Sequence, residues 1–227
     1  MAVGIHRITE DFEFELCRYT GAPYAVAVDN QTNAVAICLM LWKSKFQELH
    51  FSQAATGKEF CGVIRIPANT YPSIPAEIVM AGFKLQFYPP APDHMLEGEY
   101  KLVGTNIWDS ALRFTADMYM KGQLQCLSFT GAYKHLKLGK GGAILCDSLE
   151  DYLWLKKARN SGRDECSYHV DTFTQLGRNC YMHPSVAALG IQLMQQFYNP
   201  DGTKKHNPDV RLPYPDLSDP KHTAFKT

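Results

Sequence analysis

Apolar residues along the chain fall into short blocks separated by polar turns, and the blocks come in two lengths. "YAVAV", Tyr24 to Val28, reads as a buried strand; after a polar turn, the apolar stretch from about Thr32 is long enough for a buried helix. "CGVIRIP" is a second strand stopped by a proline, and "SIPAEIVMAG" is a helix closing on Gly82. "KLQFY", "KLVGTNIW", "LQCLSF" and "GGAIL" are further strand-like runs of buried character. "SLEDYLWLKKARNSG" carries a full set of helix signals: Ser148 as N-cap, acids in the first turn, bases in the last, and Gly162 as stop. "PSVAALGIQLMQQF", from Pro184, is the next helix. Strands alternating with helices in this way predict an α/β fold, a mainly parallel sheet flanked by helices.

After Asn199 the pattern dissolves. Pro200, Pro208, Pro213, Pro215 and Pro220 stand among polar and charged residues. The chain therefore divides into a large domain, residues 1–198, and a proline-rich tail, 199–227, that is draped over a surface or disordered. Charge narrows the partners: 23 basic and 23 acidic residues give a formal net charge of zero, so no global field recruits nucleic acid or an acidic membrane. No apolar run reaches the ~18 residues of a membrane span, and "MAVGIHRITEDFEFEL" has no apolar signal core. Seven cysteines is an odd number, and Cys38, Cys126 and Cys146 lie in apolar runs, which points to reduced thiols in a cytoplasmic protein.

In open α/β sheets ligands bind beyond the carboxyl ends of the strands. Polar residues stand at such ends here: Asn30 and Thr32, Asn69 to Tyr71, Asp109 after "TNIW", and Ser128 closing "QLQCLS". Downstream, "SFTGAYKHLKLGKGGAIL" sets Lys134 between an aromatic stretch and a glycine-rich turn. With "YAVAVDNQTNAVAICL", "PANTYPSIPAEIVMAG", "LKKARNSGRD" and "LGRNCYMHPSVAALGIQL", these segments, in this order, resemble the DegT/StrS-type sugar aminotransferases. Those are fold-type-I enzymes dependent on pyridoxal 5'-phosphate (PLP), and the resemblance runs from about Glu13 to Phe197.

The resemblance implies a fold-type-I large domain with a seven-strand type of sheet, and roles for particular residues. Lys134 is the Schiff-base lysine, which needs a neutral amine and hence desolvation or nearby cations. Asp109 keeps the pyridine nitrogen protonated so that the ring acts as an electron sink. Gln31, Thr32 and Ser128 match the phosphate-binding positions, at a helix start that suits an anion. Tyr71 matches the aromatic that stacks on the ring. Asn179 matches an asparagine that reaches the neighbouring subunit's phosphate, which implies a homodimer with shared sites. The implied reaction passes an amino group, with glutamate as donor, to a keto group on a nucleotide-linked sugar.

The chain departs from the pattern at Gln31, where the family has glycine, and at Leu112, where it has glutamine or histidine. Counted from Ser128-Phe129, Tyr133 falls where the lysine belongs; counted back from Gly139-x-Gly141-Gly142, Lys134 does, so a one-residue bulge is expected between them. A small C-terminal domain follows the large one in the family, whereas this sequence runs into the tail, as a shortened member would. The alternative function is then a non-catalytic homologue that serves as a binding or interaction subunit. Two further signals are weaker. Cys166-x-x-His169 and Cys180-x-x-His183 have zinc-like spacing but the wrong ligand order for a finger, and "ATGKEF" lacks the first glycine and the hydroxyl of a phosphate loop.

Overall fold

A computed structural model of the chain describes residues 7–51, 62–167 and 169–225. Its helices are α1 (Arg7–Thr20), α2 (Gln31–Phe51), α3 (Ser73–Met80), α4 (Leu149–Arg159) and α5 (Pro184–Met194). The strands are β1 (Tyr24–Val28), β2 (Val63–Pro67), β3 (Lys84–Tyr88), β4 (Met95–Glu97), β5 (Tyr100–Lys101), β6 (Ile107–Asp109), β7 (Leu124–Ser128), β8 (Gly142–Cys146) and β9 (Arg211–Pro213). β1, β8, β7, β6 and β5 form one sheet in that order, and β2 and β3 form a pair. Reciprocal hydrogen bonds between Arg65 and Val103, 3.0 and 2.9 Å, join the pair to the β5 edge. A seven-strand surface results.

The expected α/β layering is present, but the sheet is mixed, not mainly parallel. Only β2 with β3 and β6 with β7 run parallel; β1 with β8, β7 with β8, and β5 with β6 are antiparallel. The connections explain this. Parallel neighbours need a crossover of a dozen or more residues, commonly a helix, as α3 provides between β2 and β3. "KLVGTNIW" is no single strand: it folds back on itself at Gly104, pairing Tyr100 with Asp109 and Lys101 with Trp108. Gly104 has φ +107°, and a Cβ there would lie 2.7 Å from the Val63 carbonyl oxygen, so only glycine fits the bend.

Side-chain alternation divides the core into two halves. Val26, Val28, Cys126, Ile144 and Cys146 face α2 and α4, in a cluster with Ile37, Leu41 and Leu155. Ala25, Ala27, Leu127, Ala143 and Leu145 face α1 and α5, in a cluster with Phe12, Leu16, Tyr19 and Met194. Strands covered on both faces read as continuous apolar runs, which is why the sequence shows them plainly. Helix α1 went unanticipated because charged residues interrupt it; Phe12, Leu16 and Tyr19 nevertheless form one buried stripe at helical spacing. Gly190 lets α5 cross it closely, since a Cβ there would meet the Phe12 ring at 2.5 Å.

Arg159, 1% exposed, ties the layers together. Its guanidinium pairs with the buried Glu13 of α1 and donates to the Ala27 carbonyl at 2.8 Å, while Glu13 accepts from the Ala27 N–H at 2.7 Å. The predicted cap is also there: Ser148 accepts from the Asp151 N–H at 3.2 Å, and Gly162 adopts φ +80°.

The proline-rich segment follows the body over its whole described length. β9 pairs with β4, the Val210 N–H donates to the Leu112 carbonyl at 2.8 Å, and the Leu217 N–H donates to the Ala68 carbonyl at 2.9 Å. Cys180 and His183, half of the zinc-like pattern, have other work: Cys180 is buried beside Asp29 and Arg159, and the His183 ring caps α5 at Ser185. "ATGKEF" lies outside the described residues. Among those residues, no helix is long and apolar enough to cross a membrane.

Candidate active site

Strand ends place the polar residues. β1 delivers its chain into α2 through Asp29 and Asn30, and Asn30 caps the helix by accepting from the Asn33 N–H at 2.8 Å. The opening N–H groups of Gln31 and Thr32 have no acceptor within the helix, which makes this end attractive to an anion. Gly142 of β8 lies against the same turn. A Cβ on it would stand 2.7 Å from the Gln31 nitrogen and 2.9 Å from the Leu127 carbonyl oxygen, so the backbone approach here requires glycine.

Beside this helix end is a cavity of about 530 Å³. Gln31, Thr32, Tyr71, Ser128 and Lys134 line it together, and Thr130 and Lys140 add to its wall. Five of the residues expected at the site therefore converge. Thr32 shares a hydroxyl–hydroxyl hydrogen bond of 2.9 Å with Ser73, at the start of α3. Ser128 closes β7 opposite Gly142. Tyr71, 55% exposed, meets Tyr214 edge to face, with centroids 6.3 Å apart.

Asp109, 3% exposed at the end of β6, adjoins the cavity through Ala111, a wall residue. It accepts from the Ala111 N–H at 2.9 Å. Burial raises its pKa above the ordinary carboxylate value; the Ala111 hydrogen bond, Tyr100, the Lys134 charge and Gln31 pull the other way and do not cancel it. Gln31 is close enough to favour the carboxylate, yet its buried Nε2 has no hydrogen-bond partner. Lys134 Nζ donates to the Ala111 carbonyl at 2.6 Å, so one peptide unit touches both charged groups. Burial lowers the Lys134 pKa, and the nearby Asp109 charge only partly opposes that shift. The result is a lysine disposed to lose its proton beside a carboxyl disposed to keep one.

The loop from β7 orients Tyr133 and Lys134 differently. Lys134 turns toward Ala111, while Tyr133 is 72% exposed at the cavity mouth. Gly131, with φ +98°, provides the bend between Phe129 and the lysine. Leu112 is 2% exposed and packs into the core away from the cavity. Asn179 is exposed, pairs by its backbone with Asn160, and is not part of the cavity wall. The sequence shows no sign that the proline-rich segment contributes to the wall, yet Leu212 and Tyr214 come from it; Ala111 and Thr130 also join the wall unforeseen.

No family model matches the chain, and no curated protein matches it. Solved structures do. AtS13 from Actinomadura melliaura is similar over 84% of this chain and 60% of its own, with a TM-score of 0.65 at 17% identity. A DegT DnrJ EryC1 StrS aminotransferase from Brucella abortus is similar over 83% and 58%, with a TM-score of 0.62 at 18% identity. A putative sugar aminotransferase from Streptococcus pneumoniae, solved in a PLP form, gives 83% and 59%, with a TM-score of 0.59 at 16% identity. The chain spans about 60% of the length of the structures it matches. Its fold is thus the one it shares with the matched part of these structures.

Proposed function

We propose that the chain forms the PLP-binding part of an aminotransferase that moves an amino group from an amino acid to a keto group of a nucleotide-linked sugar. The observation that carries this reading is Lys134, a half-buried amine in the wall of a helix-capped cavity, hydrogen-bonded to Ala111 next to the buried Asp109, its pKa lowered by desolvation. The donor set fits PLP: a lysine whose pKa desolvation lowers, a buried carboxyl, helix N–H groups with the Thr32 and Ser128 hydroxyls, and an unpartnered Gln31 amide. When bound, that cofactor supplies an aldehyde for an amine to condense with and a ring that accepts an electron pair.

The remaining work belongs to the chain. Gln31, Thr32 and Ser128 would hold the phosphate, and Tyr71 would cover one face of the ring. Asp109 would hold a proton on the ring nitrogen, a role its buried position suits because water does not compete there. Lys134, once freed, would carry a proton to and from the reacting carbon. Glutamate as donor and the nucleotide-linked sugar as acceptor follow from the resemblance, and a cytoplasmic location from the reduced-thiol reading of the cysteines; the similarity to a sugar aminotransferase supports the substrate class. The homodimer, in which Asn179 would serve the partner's phosphate, also follows from the resemblance; the exposure of Asn179 outside its own cavity supports that reading.

A second reading, a non-catalytic binding homologue, is favoured by Leu112, which offers the cavity no polar group. One experiment separates the two. Purified protein is titrated with PLP, reduced with borohydride and mapped by peptide mass spectrometry, alongside Lys134→Ala. Label on Lys134, with an absorption band lost in the variant, supports the enzyme; no band in either protein leaves the binding homologue.

A further inference from the structure

The proline-rich segment is built into the cavity at several points. At one end, Asp209 receives a forked pair of hydrogen bonds from Arg113, Nε to Oδ1 at 2.9 Å and Nη2 to Oδ2 at 2.6 Å. Arg113 also binds Glu99 at 2.5 Å, so it joins the segment to the loop around β5. The Asp209 carboxylate occupies the space a side chain at position 98 would take: a Cβ on Gly98 would lie 2.3 Å from Oδ2. The next residue, Val210, hydrogen-bonds the Leu112 carbonyl, three residues past Asp109. At the other end, Leu217, 3% exposed, donates from its N–H to Ala68, three residues before Tyr71. Between these anchors β9 pairs Leu212 with Leu96, and the Tyr214 N–H donates to the His94 carbonyl at 3.1 Å.

The segment therefore spans from the loop that follows Asp109 to the loop that holds Tyr71. The two side chains it turns into the cavity wall are Leu212 and Tyr214. The Tyr214 ring stands at 81° to that of Tyr71, bracing a ring that is otherwise more than half exposed. A forked arginine–carboxylate pair fixes orientation as well as position, so the wall is held at a set distance and is no loose flap.

We propose that residues 209–217 are the specificity wall of the Lys134 cavity, with Tyr214 and Leu212 shielding the lysine and setting the size of carbonyl compound that reaches it. The inference rests on the reading of Lys134 as the amine that meets a carbonyl ligand. A wall of this kind has two opposite effects. It slows small reagents that need only an opening, and it strengthens a larger ligand that fits against it.

The test uses the full chain and two probes, formaldehyde with cyanoborohydride and PLP with borohydride, and quantifies Lys134 modification by peptide mass spectrometry. The exposed Lys84 and Lys137 serve as internal references in each digest. Tyr214→Ala is expected to speed formaldehyde labelling of Lys134 at least threefold relative to those lysines. It is also expected to weaken PLP binding severalfold. Leu212→Ala should do the same to a smaller degree, and Tyr214→Phe should behave as wild type in both arms. Unchanged labelling of Lys134 by formaldehyde in folded Tyr214→Ala and Leu212→Ala overturns the proposal, as does accelerated labelling of all lysines, which would report unfolding. If wild-type Lys134 takes formaldehyde but no PLP, the cofactor reading fails, and the formaldehyde arm still decides whether the wall exists.

Discussion

Asp109 shows how a single residue can be legible as chemistry and still cost the protein stability. Its burial raises the carboxyl pKa, so the folded state holds the proton at a higher pH than the unfolded state does. The sign follows: stability is lost as pH rises from the ordinary carboxylate value through the raised one. In the protein without cofactor, Asp109→Asn is therefore expected to melt above wild type near pH 7. The gap should close as the pH falls to about 4 and below, where the wild-type carboxyl also becomes neutral. On the proposed function, the same variant should lower the rate of the amino-donor half-reaction by roughly 10²-fold or more, because the carboxylate proposed to face the ring is gone. Thermal melts across pH and single-turnover absorbance measure the two effects. A variant that melts below wild type at pH 7 would mean the Asp109 charge is net favourable and the account of its burial is wrong. Strand-end position and residue type pointed to Asp109, Thr32 and Ser128 as candidates, and the resemblance pointed to Lys134; the structure brings Thr32, Ser128 and Lys134 to one cavity, with Asp109 beside it. Neither signal pointed to Tyr214, whose place depends on a return of the chain across the molecule.

At the scale of elements, legibility depended on whether the signal was local. Helix α4 announces itself through its cap, its charges and its stop, all within one stretch, and β1 and β8 through unbroken apolar runs. Strand direction has no local signal. The turn at Gly104 is hidden in an apolar run, and it converts an expected parallel strand into a hairpin arm. Helix α1 is an intermediate case: its stripe is visible only after its acids are sorted into exposed ones and Glu13. That acid is the informative one. Glu13 and Arg159 are both buried and bind the same Ala27 peptide unit, so removing one leaves the other charged without its partner. Glu13→Ala should destabilise the fold by about 3–5 kcal/mol, which lowers the melting temperature by roughly 6–20 °C at this chain length. Arg159→Met is expected to cost as much. Because the two residues form one unit, the double variant should cost less than the sum of the singles. Chemical denaturation of all four proteins checks this, and strict additivity would show that the pair is not coupled.

For the whole molecule, the open relation is between one chain and its neighbour. Asn179 lies outside the cavity of its own chain, exposed, with its backbone fixed to Asn160 at the end of α4. A residue so placed does nothing for its own Lys134, and in a closed two-fold pair it is available to the other chain's site. If the sites are shared, they complement. Lys134→Ala loses the amine, and Asn179→Ala loses a contact to the partner's cofactor, so each homodimer should bind PLP poorly at low concentration. In a heterodimer of the two, one site joins the intact Lys134 of one protomer with the intact Asn179 of the other, and the second site carries both defects. Mixing equal amounts, with dissociation and reassembly, makes about half the dimers hybrid, so about one quarter of all sites should regain wild-type PLP binding. Absorbance titration of the mixture against each variant alone measures the recovered fraction. Recovery near zero would separate Asn179 from the partner's site and leave each cavity to be completed by its own chain.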